Sequence, residues 1–336
     1  MYFLAIETSC DETAAAVFTD DRRVLANVVA SQTDLHARFG GVVPEIASRA
    51  HLRNLLPVID EALRQAGIKT SELGCIAVHN TPGLVGALLV GVSAAKMLAV
   101  ALGVPLIGVN HIAAHIYAAR LAAGRDIYPC VGLVVSGGHT ALFQCDDALS
   151  LTFLGGTRDD AAGEAFDKVA AILGLGFPGG PALEREAASG SSTAYRFPRA
   201  FLADDRLEFS FSGLKTAVLY ACHGVNAKKI VAPPADQRRA DLAASFQAAA
   251  VEVLVAKCRL ALRKTGQTRL AVGGGVSANK LLRTQLREMC DAERAELLIP
   301  PMNLCTDNAA MAALAIEKWH RSEFAAADLD AEPNFL

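Results

Sequence analysis

Two histidines four residues apart, His111 and His115 in the run Asn110-His-Ile-Ala-Ala-His115, are the residues of this chain best suited to chemistry. On a helix, positions i and i+4 stand one above the other, so both imidazoles can reach a single ion. Imidazole binds zinc and iron alike, and two histidines with one carboxylate leave coordination positions free for a substrate. A zinc peptidase of this spacing needs a glutamate after the first histidine to activate water. That position is Ile112, which argues against hydrolysis. The competing reading is a pair of histidines on a half-buried helix with no ligand role. A third ligand is available in Asp307, within Leu304-Cys-Thr-Asp-Asn-Ala-Ala-Met311, where a short loop enters an Ala-rich helix running to Trp319. Position alone also suits Asp307 to a helix cap or first-turn acid.

Three glycine-rich or small-residue turns form a second group. Apolar Tyr2–Ile6 and Ala14–Phe18 flank the polar turn Glu7-Thr-Ser-Cys-Asp-Glu-Thr13, and Val131–Val135 and Ala141–Phe143 flank Ser136-Gly-Gly-His-Thr140. Each reads as a β-hairpin with a tight hydrogen-bonding turn, and two such hairpins suit a duplicated two-lobe α/β fold. The third turn, Gly273-Gly-Gly-Val-Ser-Ala-Asn279, follows the strand Leu270–Val272 and opens a helix near Lys280. Glycines admit a ligand close to the backbone and a helix start offers free N–H groups, although Ser277 or Asn279 would equally serve as a plain cap. There is neither a GxxxxGK[ST] loop nor a strand followed by GxGxxG, so P-loop and dinucleotide-binding readings are excluded.

These turns need a scaffold, and composition supplies its limits. At 336 residues, 52% hydrophobic and 20% charged, the chain has enough apolar residues for two cores. A net charge of −3 gives no global attraction to nucleic acid or anionic membrane, so any nucleic-acid contact must come from a local patch or from a partner. Basic residues cluster at Lys228-Lys229, Arg238-Arg239, Arg263-Lys264 and Arg283/Arg287, and most read as helix surface. Eight scattered cysteines without a CxxC suit reduced thiols in a cytoplasmic protein. The apolar run Leu84–Val104 is broken by Gly86, Gly91, Lys96 and Gly103, so a buried helix is expected rather than a membrane span. No membrane association is expected, and no secretory signal is read at the N-terminus. Asp167 and Lys168 follow Glu164 on a helix, where an intrahelical ion pair is the plain reading.

Taken jointly, the motifs resemble one family over nearly the whole length. They are Glu7-Thr-Ser-Cys-Asp-Glu-Thr13, Gly40-Gly-Val-Val-Pro-Glu-Ile-Ala-Ser-Arg49, Pro82-Gly-Leu-Val-Gly-Ala-Leu88, His111-x3-His115 and Val135-Ser-Gly-Gly-His139. Further along stand Gly163-Glu-Ala-Phe-Asp-Lys168, Phe177-Pro-Gly-Gly-Pro181, Phe209-Ser-Phe-Ser-Gly-Leu-Lys215, Gly273–Asn279 and Cys305-Thr-Asp-Asn308. The chain resembles the tRNA N6-adenosine threonylcarbamoyltransferases (the TsaD family, formerly called O-sialoglycoprotein endopeptidases).

That resemblance implies the two-lobe actin-like ATPase superfold shared with Hsp70, actin and sugar kinases, with a nucleotide and metal site in the interlobe cleft. Residues 1–125 would form the first lobe and 126–306 the second. A helix from 307 to 320 would pack back near the cleft, and 321–336 would form a tail. It implies one divalent metal, Fe(2+) before Zn(2+), held by His111, His115 and Asp307. Val135, Ser136, Gly137, Gly138, His139, Asp167, Gly180 and Asn279 would bind threonylcarbamoyl-AMP. The implied acyltransferase moves the threonylcarbamoyl group to the N6 amine of adenosine 37 in tRNAs reading ANN codons and releases AMP. No general base is assigned. Implied partners are tRNA, an inactive paralogous actin-like subunit and a small ATPase. A metal-dependent glycoprotein endopeptidase and a non-catalytic nucleotide-binding scaffold are the alternatives. The chain departs from the family pattern at Ala113, where an acid is usual, at Ala50, where aspartate is usual, and at Thr81, where glycine is usual.

Overall fold

The computed structural model describes residues 1–224, 234–326 and 328–334, so the Lys228-Lys229 pair lies outside the described residues. The chain packs as two compact units, one of Met1–Asp126 with Pro300–Leu336 and one of Ile127–Ile299. The first unit opens with β1 (Tyr2–Glu7), β2 (Glu12–Thr19) and β3 (Val24–Ser31), an antiparallel meander. Next come α1 (Thr33–Ala37), α2 (Pro44–Ala66), β4 (Leu73–Thr81), α3 (Val85–Leu102), β5 (Leu106–Asn110) and α4 (His111–Ala123). The sheet order is β3-β2-β1-β4-β5, with β4 parallel to β1 and β5 parallel to β4.

β1 is central, which its sequence anticipates: Phe3 to Ile6 is an unbroken apolar run, as a strand covered on both faces requires. The edge strand β3, which pairs with β2, is by contrast mostly half-buried or exposed. α2 carries Pro44 at its first turn and ends on Gly67 in the left-handed region, the ordinary punctuation of a helix. α3 is long and apolar enough to cross a membrane by composition, yet it packs along α2 and β4.

The second unit holds β6 (Cys130–Val135), β7 (Thr140–Cys145), β8 (Leu151–Gly156), α5 (Ala162–Leu173), α6 (Gly179–Ala187), α7 (Ser212–His223), α8 (Asp236–Thr265), β9 (Arg269–Gly273), α9 (Lys280–Glu293) and β10 (Glu296–Leu298). Its sheet order is β10-β9-β6-β7-β8, again an antiparallel meander followed by two parallel strands. The two sheets therefore share one topology, and each anticipated hairpin opens its own unit. The long helix α8 runs through the core with α6, α7 and α9 against it.

From Pro300 the chain rejoins the first unit. The Ala-rich segment after Asp307 is not a continuous α-helix: Ala309–Leu314 wind as a 3-10 helix before α10 (Ala315–His320). Every residue from Ala309 to Ile316 is buried, and small side chains let this segment lie tightly against α4, β1 and β2. Asn27 fixes it there, its Oδ1 accepting from Ala310 N–H at 3.2 Å. The segment beyond α10 is bonded along β5 and the end of β4, through Ala325 N to Leu106 O, Glu332 N to Asn80 O and Gly83 N to Pro333 O.

Candidate metal centre and nucleotide-binding loops

α4 begins directly where β5 stops, with Asn110 as its cap: the side-chain oxygen accepts from Ala113 N–H at 3.0 Å. His111 and His115 are therefore on the first two turns of a helix whose cap is also the end of a core strand. Both rings are buried and meet edge to face with centroids 4.5 Å apart. The Asn27-anchored segment brings Asp307 to them. Its Oδ1 lies 3.6 Å from His111 Nε2 and 3.3 Å from His115 Nε2. One ligand atom from each of the three residues falls within 4.8 Å of the others.

Two observations fit this trio to a divalent ion. His115 is completely buried, and apart from the 3.3 Å approach of Asp307 to Nε2 its ring nitrogens have no partner and no well-aligned hydrogen bond, an arrangement that is costly unless something else satisfies it. Two neutral-capable imidazoles and a carboxylate are also a donor set that iron and zinc accept. Burial and the neighbouring His111 push the His115 pKa down, which keeps it neutral as a ligand must be. Burial also opposes charge on His111, but Glu7 and Asp307 outweigh it and raise that imidazole to about 9. Burial likewise works against the Asp307 carboxylate, and the two histidines hold it below its usual value.

On its far side, His111 Nδ1 lies 2.9 Å from Glu7 Oε2 and 3.1 Å from Ser9 Oγ. Glu7 is wholly buried, and a second buried imidazole, His79, brings its Nδ1 to 2.8 Å from the same oxygen. Ser9 N–H donates to Oε1. Burial would raise the Glu7 pKa, but the two histidines hold it well below the carboxylate range. Neither Glu7 nor His79 stands out by motif spacing. The available signal was an acid ending an otherwise apolar central strand.

In the second unit, Val135 ends β6 and Ser136–His139 form the turn to β7. Ser136 N donates to His139 O at 2.8 Å, and His139 N donates to Ser136 Oγ at 3.1 Å. Gly137 and Gly138 are exposed, and a Cβ on either would meet nothing within 4 Å, leaving room over the turn. The loop after β9 reaches this turn: Gly274 has φ +93°, and a Cβ there would stand 2.4 Å from Val135 O. α5 reaches it as well, Gly163 N donating to Ser136 O at 3.1 Å. One turn farther along α5, Asp167 Oδ1 accepts from Gly179 N at 2.8 Å, which ties α5 to the start of α6 beside Gly180. Glu184 of α6 in turn accepts from Lys280 N at the start of α9.

The sequence-selected residues of this unit thus surround one set of contacts, with unequal freedom. Asn279 caps α9 by accepting from Leu282 N at 3.0 Å and donates to Gln247 Oε1 at 2.9 Å, so its polar atoms already have protein partners. Lys168 pairs with Glu164 and also with Asp160, both at 2.8 Å. Arg239 pairs with Glu186 and Arg263 with Glu293, as helix-surface cations do. All eight cysteines are free.

Two units of one strand order, each opened by a hairpin with a polar turn, define an α/β protein of the actin-like ATPase fold. Solved structures agree on that fold. Full-length HypF in its phosphate- and nucleotide-bound form aligns over 96% of this chain and 56% of its own, with TM-score 0.63 at 14% identity. The Acidaminococcus fermentans (R)-2-hydroxyglutaryl-CoA dehydratase component A aligns over 95% and 98%, with TM-score 0.54 at 15% identity. Within that fold the chain belongs to the tRNA N6-adenosine threonylcarbamoyltransferase family, whose model matches residues 23–314. It is 52% identical to the enzyme of that name from Rhodopirellula baltica over 98% of this chain and 96% of the relative. Against the one from Moorella thermoacetica it is 53% identical, over the same shares of each. The chain is accordingly a transferase of tRNA threonylcarbamoyladenosine modification.

Proposed function

We propose that the donor is threonylcarbamoyl-AMP, that the acceptor is adenosine 37 of tRNAs reading ANN codons, and that His111, His115 and Asp307 hold the required metal. The observation that carries this reading is the convergence of three buried or half-buried donor atoms from α4 and a distant segment, with His115 left otherwise unsatisfied. Fe(2+) is the favoured ion and Zn(2+) the substitute. A bound divalent ion would supply Lewis-acid and templating chemistry.

Because the acyl donor is a mixed anhydride, no protein nucleophile is needed. The N6 amine attacks the carbamoyl carbon, a C–N bond forms, the bond to the phosphate oxygen breaks, AMP leaves with that electron pair, and the amine gives up one proton to the departing phosphate or to solvent. The chain's work is orientation and charge stabilisation. The open turn at Ser136–His139, beside Val135, suits the phosphate, since successive backbone N–H groups form an anion-binding concavity. Asp167, Gly180 and Asn279 line the neighbouring helix starts and would frame the rest of the adenylate. His139 is a donor candidate, and no general base is assigned.

The exposed apolar residues Leu52 and Leu56 on α2 and Met97 and Val100 on α3 support a protein partner. The paralogous actin-like subunit is the proposed occupant, with the small ATPase completing the assembly. A cytoplasmic location fits the reduced cysteines and the tRNA substrate. The test is incubation of the chain and candidate partners with threonylcarbamoyl-AMP and unmodified tRNA, with the nucleoside read by mass spectrometry. Modified adenosine with wild type and none with His115→Ala is expected. Cleavage of a glycoprotein in place of transfer would revive the peptidase, whose needed acid is Ile112 here.

A further inference from the structure

We infer that Glu7 is a positioning residue for the metal, fixing His111 with its proton on Nδ1 and its lone pair on Nε2. This rests on reading His111, His115 and Asp307 as metal ligands. A metal-bound imidazole is neutral and carries one proton, and the partner of one nitrogen decides what the other can do. His111 Nδ1 lies 2.9 Å from Glu7 Oε2, and an ionised carboxylate only accepts. The proton therefore belongs on Nδ1, and Nε2, 3.6 Å from Asp307, is left to coordinate.

Strand order builds the arrangement. β1, β4 and β5 are neighbours, Ile6 pairs with Val78, and His79 pairs with Val109. The residues at or just beyond these positions are Glu7, His79 and His111, so three adjacent strand ends bring one acid and two imidazoles together. Glu7 and His79 are fully buried, so bulk solvent does not compete for the carboxylate; Ser9 Oγ, 3.1 Å from the same Nδ1, is the other neighbour of that nitrogen. The same three side chains also lie close enough to hold an ion themselves. That alternative requires His111 to lose both protons if it also binds at Nε2, so a carboxylate–imidazole hydrogen bond is the assignment the geometry favours.

The test uses the full chain, stripped with chelator and titrated with Co(2+), with visible absorption and chelator competition giving stoichiometry and Kd. Wild type should bind one ion, and His115→Ala should lose it. Glu7→Ala should weaken binding by about 10- to 100-fold, the usual effect of removing a ligand's supporting carboxylate. Glu7→Gln, which keeps an acceptor, should recover part of that loss. A merely structural Glu7 would lower the melting temperature of the metal-free chain without moving Kd. Nitrogen-15 spectra of the Zn(2+)-loaded wild type provide a reading that needs no variant, and His111 should be protonated at Nδ1. Wild-type affinity in Glu7→Ala, a proton on Nε2, or two ions per chain would overturn the inference. Binding that survives in His115→Ala would instead overturn the ligand reading beneath it.

Discussion

Gly163→Ala sets two known effects against each other. Gly163 is the second residue of α5, and helix propensity alone favours alanine there by about 1 kcal/mol. Its new Cβ, however, would stand 2.5 Å from Ser136 O, 2.8 Å from Ser136 C and 2.9 Å from Gly137 Cα. Ordinary contact begins at 3.4 Å, so 3.4 − 2.5 leaves 0.9 Å to be absorbed. All three opposing atoms are backbone, so no flexible side chain can yield. Either α5 or the Ser136–His139 turn must move, and the 3.1 Å bond from Gly163 N to Ser136 O is strained with it. Overpacking of this kind costs about 1–3 kcal/mol, enough to cancel the propensity gain. A displacement near 1 Å in groups that position a substrate costs about 10²-fold in rate. The assay is AMP affinity by calorimetry alongside the transfer rate, with metal content as the control, because the metal residues belong to the other unit. Expected are a large loss of AMP affinity and rate at unchanged metal content. AMP affinity within about twofold of wild type would refute the placement of the nucleotide on this turn.

Three other outcomes follow from single side chains. Burial raises the Glu12 carboxyl to about 7, only partly opposed by the Ser31 hydroxyl. A raised acid stabilises the fold fully below its unfolded value and loses that contribution as pH climbs through 7. Urea melts of the metal-free chain should therefore show Glu12→Gln more stable than wild type at pH 8 by roughly 1–3 kcal/mol and nearly equal at about pH 4, below the unfolded value. Tyr117 donates to Glu317 at 2.6 Å from a buried position, so Tyr117→Phe should cost about 1–2 kcal/mol in the same melts. Lys257, 1% exposed, donates to the carbonyls of Phe201 and Asp204, and Lys257→Met should cost about 1–3 kcal/mol by leaving both unsatisfied.

Local periodicity and turn chemistry made the hairpins, the start of α9 and the helical setting of His111 and His115 legible from sequence. Those features depend on neighbours in the chain. Asp307 was legible only as a candidate, because a carboxylate before an Ala-rich segment is also an ordinary cap. What sends it to α4 is a contact 283 residues away, between Ala310 and Asn27. Glu7 and His79 were not legible, since they meet through the order of β1, β4 and β5, which no spacing reveals. The 3-10 winding of Ala309–Leu314 escaped for a similar reason: alanine favours the α-helix locally, and close packing against α4 decides otherwise. At Asn279 the chain used the capping alternative that its sequence had left open.

Transfer activity against metal occupancy, measured on one preparation reloaded stepwise from the stripped chain, tests the central claim most directly. With partners and substrates saturating, formation of modified adenosine should rise in proportion to bound ion, reach its plateau at one ion per chain, and remain absent from Asp307→Ala at every loading. Full activity in the stripped chain, or an Asp307→Ala variant that transfers like wild type, would contradict it.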